Sequence, residues 1–115
     1  MNEFILLFRL DIITKEAQPS PEQMQAYMKE WQKWVNGIDA QHKLSSGGNH
    51  LSSEGRVVKS GNVVTDGPYA ELKESVAGYI IIKTTDFEDA VSIAKTCPIL
   101  AGAGNSVEVR QVDPM

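Results

Sequence analysis

The sequence has little of several things, and each shortage removes a class of protein. It holds a single cysteine, Cys97, so no internal disulfide can form and no thiolate zinc site can be built from cysteine alone. Basic residues are outnumbered, 11 Lys plus Arg against 15 Asp plus Glu, for a net charge of −4. That balance argues against broad binding to a phosphate backbone, which needs a basic footprint. The longest strongly apolar stretch near the start covers only residues 4–8, and no segment approaches the ~20 apolar residues that a membrane span needs. Met1-Asn2-Glu3 lacks the positive region of a signal sequence, so the expected location is a reducing cytoplasm. With 115 residues, 42% of them hydrophobic and 23% charged, the composition is that of one soluble globular domain. A chain of this size can bury about two-thirds of its extended surface, enough for a core without metal or disulfide support.

What is present is patterned. Glu3-Phe4-Ile5-Leu6-Leu7-Phe8-Arg9 is nearly all apolar and suits a central strand covered on both faces. Ser20-Pro21-Glu22-Gln23 is a helix start, with Ser20 as N-cap, Pro21 at the first position and Gln23 at the reciprocal capping position. At about 100° per residue, Met24, Tyr27, Met28, Trp31, Trp34, Val35 and Ile38 fall within an arc of roughly 120°. Such a stripe of tryptophan and methionine fits packing against a sheet better than a ligand groove. Residues 44–52 read as a weak strand containing Gly47-Gly48, and residues 56–65 read as a hairpin turning at Ser60-Gly61. Ala77-Gly78-Tyr79-Ile80-Ile81-Ile82-Lys83 is a second central strand. Asp86 caps a shorter helix with Phe87, Ala90, Val91, Ala94 and Cys97 on its apolar face, and Pro98 stops it. Residues 107–112 alternate as a half-buried strand does.

The order is strand, helix, strand, hairpin, strand, helix, strand. This predicts an α+β, ferredoxin-like subunit, an antiparallel sheet with two helices on one face and a β-hairpin insertion. One helical layer covers one sheet face, yet the two central strands are apolar on both. A second copy packing sheet to sheet would cover the other, which predicts a homodimer.

Common chemical motifs are missing. No Gly-rich turn is followed by Lys-Ser or Lys-Thr, and Gly102-Ala103-Gly104 lacks the third glycine of a dinucleotide fingerprint. His42 and His50 straddle a helix end and a strand, a poor spacing for zinc, and no Gly-x-Ser-x-Gly elbow occurs. No metal and no cofactor is therefore expected. The most informative stretch is Thr65-Asp66-Gly67-Pro68-Tyr69-Ala70-Glu71-Leu72-Lys73-Glu74. It reads as a stiff turn leaving a strand, in which Pro68 fixes its own φ and Gly67 escapes the steric limit on residues before proline. That turn would hold the Asp66 carboxylate and the Tyr69 ring in place, beside Glu71 and Lys73, as a small general-base site requires. The plainer reading has Asp66 accepting backbone N–H bonds within the turn.

Asp66-Gly67-Pro68-Tyr69, followed by Glu71, Lys73-Glu74 and Gly78-Tyr79, resembles the signature of the DGPF subgroup of YCII-related proteins. The likeness extends to the opening strand, Pro21-Glu22, Gly47-Gly48, Cys97-Pro98 and Val107-Glu108-Val109-Arg110, with Tyr69 in place of the phenylalanine that names the group. The resemblance implies a dimeric α+β barrel of ferredoxin-like subunits, found in small bacterial cytoplasmic proteins mostly without assigned function, some encoded beside sigma factors. Enzymatic readings of the wider family rest on a helix-one histidine and an aspartate before a proline. Those positions fall near Trp31 and on Cys97 here, so that acid–base pair does not carry over.

Three functions follow as expectations. The leading one is binding of a small molecule in a pocket near the Asp66 turn, with a regulatory role. The second is a cofactor-free lyase or isomerase with Asp66 as general base and Lys73 or Arg110 stabilising an anion. The third is an interaction module docking onto a transcription protein. Pocket candidates are His50, Tyr69, Glu71, Lys73 and Arg110, with Trp31, Trp34 and Tyr79 as an aromatic lining. The ordinary alternatives are a surface histidine, solvated charges, and an Arg110 paired with Glu108 or with a carboxylate across a dimer. Cys97 is expected to be an inert core residue.

Overall fold

The computed structural model of the chain describes residues 1–11, 18–67 and 75–114. Six strands and two helices run in the order β1 (Asn2–Arg9), α1 (Pro21–Ala40), β2 (Leu44–His50), β3 (Gly55–Lys59), β4 (Val63–Gly67), β5 (Val76–Thr84), α2 (Phe87–Ala94) and β6 (Ser106–Gln111), with a 3₁₀ turn at Pro98–Ala101 before β6. Four strands form one antiparallel sheet in the order β2-β5-β1-β6, and β3 and β4 form a separate two-stranded ribbon. This is the ferredoxin-like subunit with a hairpin insertion that the element order predicts.

Local signals set the boundaries. Ser20 Oγ accepts the backbone N–H of Gln23 at 3.2 Å, and Gln23 Oε1 accepts that of Ser20 at 2.9 Å, so α1 opens on a complete capping box. The helix ends at Ala40, and His42 takes a left-handed φ of 60° that turns the chain into β2 instead of extending the apolar stripe. Asp86 caps α2 by accepting the Asp89 N–H at 2.9 Å. The β3–β4 turn runs through Gly61 and Asn62, both at positive φ.

Strand alternation divides the large sheet. Phe4, Leu6, Phe8, Ile80 and Ile82 point to one face and form a single core with Ile38 of α1, Ala90 and Ala94 of α2, Cys97 and Ile99. Both helices therefore cover the same face. Ile5, Leu7, Tyr79 and Ile81 lie on the other face, paired across β1 and β5, and are only partly buried. The hydroxyl of Thr84, itself buried, donates to the Asp89 carboxylate, which also accepts from Lys43 Nζ at 2.9 Å. This cluster ties α2 to β5 and to the start of β2. The Thr84 hydroxyl and then Lys43 hold the Asp89 carboxyl below its ordinary range.

Some expectations need correction. On α1 Tyr27, Trp31, Trp34 and Ile38 meet the core, while Met24 and Met28 are each 42% exposed. On α2, Ala90 and Ala94 are buried while Phe87 and Val91 are exposed. Phe87 stands edge-on to Phe4, with ring centroids 4.8 Å apart. α2 ends at Ala94, short of Cys97, so Pro98 does not stop it but begins the 3₁₀ turn, where a proline at the first position is well tolerated. Cys97 is the core residue expected, and burial pushes its thiol up to about 12.

Candidate functional site

A cavity of about 170 Å³ opens where β1 and β2 end, β5 begins and the middle of α1 crosses above them. Its origin lies in the strand register. Phe8 of β1 pairs with Gly78 of β5, and Gly78 pairs with His50 of β2, so the three occupy one row on the helix-covered face. The row between Phe8 and His50 therefore has no central side chain, and β2 comes close there: a Cβ on Gly78 would stand 2.8 Å from the Asn49 carbonyl oxygen. Trp31 spans the row from above, with its ring 4.7 Å from Phe8 and 6.3 Å from His50 between centroids. Trp31 is itself flanked by Tyr27 and Trp34, at 6.2 and 5.2 Å.

One wall is the irregular end of β2. Ser46 pairs with Ile81 and Asn49 with Tyr79, three residues against two, so β2 carries a bulge at Gly47-Gly48. Gly48 has φ of 63°, and a Cβ there would stand 1.7 Å from the Tyr79 carbonyl oxygen. Only glycine lets β2 approach β5 this closely. Gly47 has ordinary backbone angles and open space where its Cβ would be.

Among the described residues the lining is made by Phe8, Trp31, Gly47, Gly48, Asn49, His50, Gly78 and Tyr79, with no Lys, Arg, Asp or Glu. The polar side chains offered to a guest are the imidazole of His50 and the amide of Asn49. Neither makes a side-chain hydrogen bond among the described residues. The arrangement can sandwich a small flat group between aromatic rings and present it with a hydrogen-bonding imidazole.

Of the residues nominated from sequence, the fold brings Trp31, His50 and Tyr79 to this cavity. Tyr79 borders it by position, since its place in the register lies on the opposite sheet face, beside Leu7. Trp34 packs next to Trp31 and donates its indole N–H to Thr96 Oγ1 at 2.8 Å, outside the lining. Asp66 does not line the cavity. It lies within β4 opposite Arg56, its side chain 95% exposed, with a carboxylate oxygen 3.5 Å from Arg56 Nε. Asp66 and Gly67 thus continue the strand instead of beginning the turn, because backbone pairing with Arg56 and Gly55 reaches that far. Arg110 stands exposed opposite Ile5 on the uncovered sheet face. Its expected partner Glu108 is taken by Arg9, whose Nη2 lies 2.8 Å from the carboxylate. Tyr69, Glu71 and Lys73 lie outside the described residues. Sequence reading missed Phe8, Gly47, Gly48, Asn49 and Gly78 as cavity-forming residues; the glycines carried the signal, but their meaning depends on which strands they face.

Among the described residues no cluster of three or more His, Cys, Asp or Glu could hold a metal ion, and no helix is long and apolar enough to cross a membrane.

Comparison with known proteins places the chain. No curated protein sequence matches it. Among solved structures it is similar to 5-chloro-2-hydroxyhydroquinone dehydrochlorinase from Burkholderia phenoliruptrix AC1100, solved in complex with 2,5-dihydroxybenzoquinone, at 12% identity and a TM-score of 0.44, covering 96% of this chain and 93% of that one. The family model of the YCII-related domain matches residues 10–115, and the chain belongs to that family.

Proposed function

We propose that this protein is a small-molecule-binding member of the YCII-related family, of the DGPF type, and that the ligand sits in the Phe8–Gly78–His50 gap beneath Trp31. One observation carries the reading: a row of three strand residues whose centre is glycine, roofed by an aromatic ring and bordered by an imidazole without a hydrogen-bond partner among the described residues. A packing core has no use for such a gap, since interiors otherwise fill to crystal-like density. Small-ligand sites are concave and mostly apolar, with few polar groups, as this one is. The Asp66-Gly67-Pro68-Tyr69 segment supports the subgroup. A catalytic role would place proton handling on His50, the imidazole at the cavity, and not on the exposed Asp66.

The working unit we propose is a homodimer formed through the uncovered sheet face. Ile5, Leu7, Tyr79 and Ile81 make an apolar centre there, with Lys83, Arg110 and the Arg9–Glu108 pair around it. The accessible surface of 7992 Å² exceeds the roughly 6,200 Å² expected of a compact monomer of this mass. The exposed Val58, Val63 and Val64 of the β3–β4 ribbon add apolar surface that a second copy would cover. A transcription-protein partner would draw on the same valines, and a stable dimer that buries them would remove that reading.

The test is a mixed library of charged, aliphatic and aromatic fragments screened by ligand-observed NMR against the wild type and Gly47→Leu. Gly47 borders the cavity and has room for a side chain, so the leucine occupies the space without disturbing the backbone. Binding to the wild type that is lost in Gly47→Leu supports the proposal. Absence of any binder, or binders indifferent to Gly47→Leu, overturns it.

A further inference from the structure

The walls of this cavity select a chemical class, an inference that rests on the binding reading above. We infer that the site takes a single flat, uncharged ring bearing one hydrogen-bonding substituent. The ring lies against Phe8 and Trp31, and the substituent meets the imidazole of His50.

Size sets the first limit. A cavity of about 150 Å³ accommodates benzene, and this one is about 170 Å³. It seats one six-membered ring with a small substituent.

Shape sets the second. Phe8 and Trp31 meet nearly edge to face, with an interplanar angle of 82°, and Trp31 and His50 are tilted by 41°. The three rings form a slot whose faces and edges present opposite ends of aromatic quadrupoles. A flat ring satisfies both kinds of wall, whereas a puckered aliphatic ring of equal volume satisfies neither.

Charge sets the third. Among the described residues no ammonium, guanidinium or carboxylate lines the cavity. The nearest arginine in sequence, Arg9, belongs to the opposite sheet face and is paired with Glu108. Lys43 and Asp89 pair with each other at the other end of β5, near Thr84. An anionic or cationic guest would therefore be desolvated without a counter-charge. His50 and Asn49 are left to direct a neutral polar substituent, and His50 is the one in ring contact with Trp31.

Three probes of equal ring size separate these limits: phenol, cyclohexanol and benzoate. Saturation-transfer NMR and competition titrations on the full-length protein give their relative affinities. The expected order is phenol about fivefold tighter than cyclohexanol, from the aromatic contacts, and at least tenfold tighter than benzoate. His50→Phe, a change at an exposed position, should weaken phenol about fivefold while leaving toluene binding within twofold. Trp31→Leu should weaken phenol and toluene alike. Cyclohexanol or benzoate binding as tightly as phenol, and displaced by Gly47→Leu, would overturn the class while leaving the binding site standing. Phenol binding unaffected by His50→Phe would overturn the role of the imidazole. Failure of all three probes overturns the inference, whatever the wider fragment library finds.

Discussion

Replacing Gly48 with alanine should unfold the site from its β2 wall, and the size of the effect can be worked from the backbone. The new Cβ would stand 1.7 Å from the Tyr79 carbonyl oxygen, 2.6 Å from its carbon and 3.0 Å from Ile80 Cα. All three are backbone atoms of the central strand β5, so no side chain can rotate away. A left-handed conformation on a residue with a Cβ costs about 1–3 kcal/mol, and forced displacement of packed structure about as much again. The expected loss is about 2–6 kcal/mol, which for a domain of this size lowers Tm by about 8–24 °C. Two neighbouring glycines are the controls. Gly78→Ala meets the Asn49 carbonyl oxygen at 2.8 Å without a positive φ, and should lose less than Gly48→Ala. Gly47→Ala meets nothing within 4 Å and should stay within about 0.5 kcal/mol of wild type. Thermal and urea unfolding followed by circular dichroism read the series. Equal stabilities for Gly48→Ala and Gly47→Ala would refute the claim that this close strand approach builds the cavity wall.

Other outcomes follow from single contacts. Asp89 has its carboxyl lowered by the Thr84 hydroxyl and by Lys43, so its contribution is full above the ordinary carboxylate range near 4 and is lost as pH falls through the lower folded value. Asp89→Asn should therefore be less stable than wild type at neutral pH and should flatten the acid limb of a stability–pH curve; an unchanged limb would remove Asp89 from the account. Ser20→Ala removes one half of the α1 capping box and should cost about 1 kcal/mol, read as a lower urea midpoint. On the uncovered sheet face, Ile81→Asp should convert a dimer of twice 12.6 kDa into single chains in sedimentation equilibrium, and a wild type already at 12.6 kDa would contradict the proposed assembly.

The fold was legible because its signals are local. Residues 2–9 and 76–84 are apolar runs of strand length, Ser20 to Gln23 spell a capping box, and Asp86 stands one residue before an apolar helix. The site was legible only in part because it depends on register, which no local pattern encodes. Trp31 and His50 could be nominated by type. That His50 faces Phe8 across Gly78, beneath Trp31, follows only from β1 and β2 flanking β5 with a particular alignment. Asp66 drew attention through its motif, yet pairing with Arg56 carries it out along the ribbon, away from the cavity lining. Met24, Met28, Phe87 and Val91 show a related limit: amphipathic spacing gives a face, while the length and spacing of the partner surface decide how much of that face is covered. The two-faced apolar pattern of β1 and β5 was read directly, and the helices do cover one face of it.

The central claim is that small molecules bind where Gly78 opens the row between Phe8 and His50. It is tested most directly by titrating the ¹⁵N-labelled protein with phenol and following backbone and indole amides by NMR. The account predicts saturable shifts concentrated at Gly47, Gly48, Asn49, His50, Gly78, Tyr79 and the Trp31 indole, with the Arg56–Asp66 ribbon unmoved. Shifts centred on Asp66 with the β2 end and Trp31 silent would contradict it.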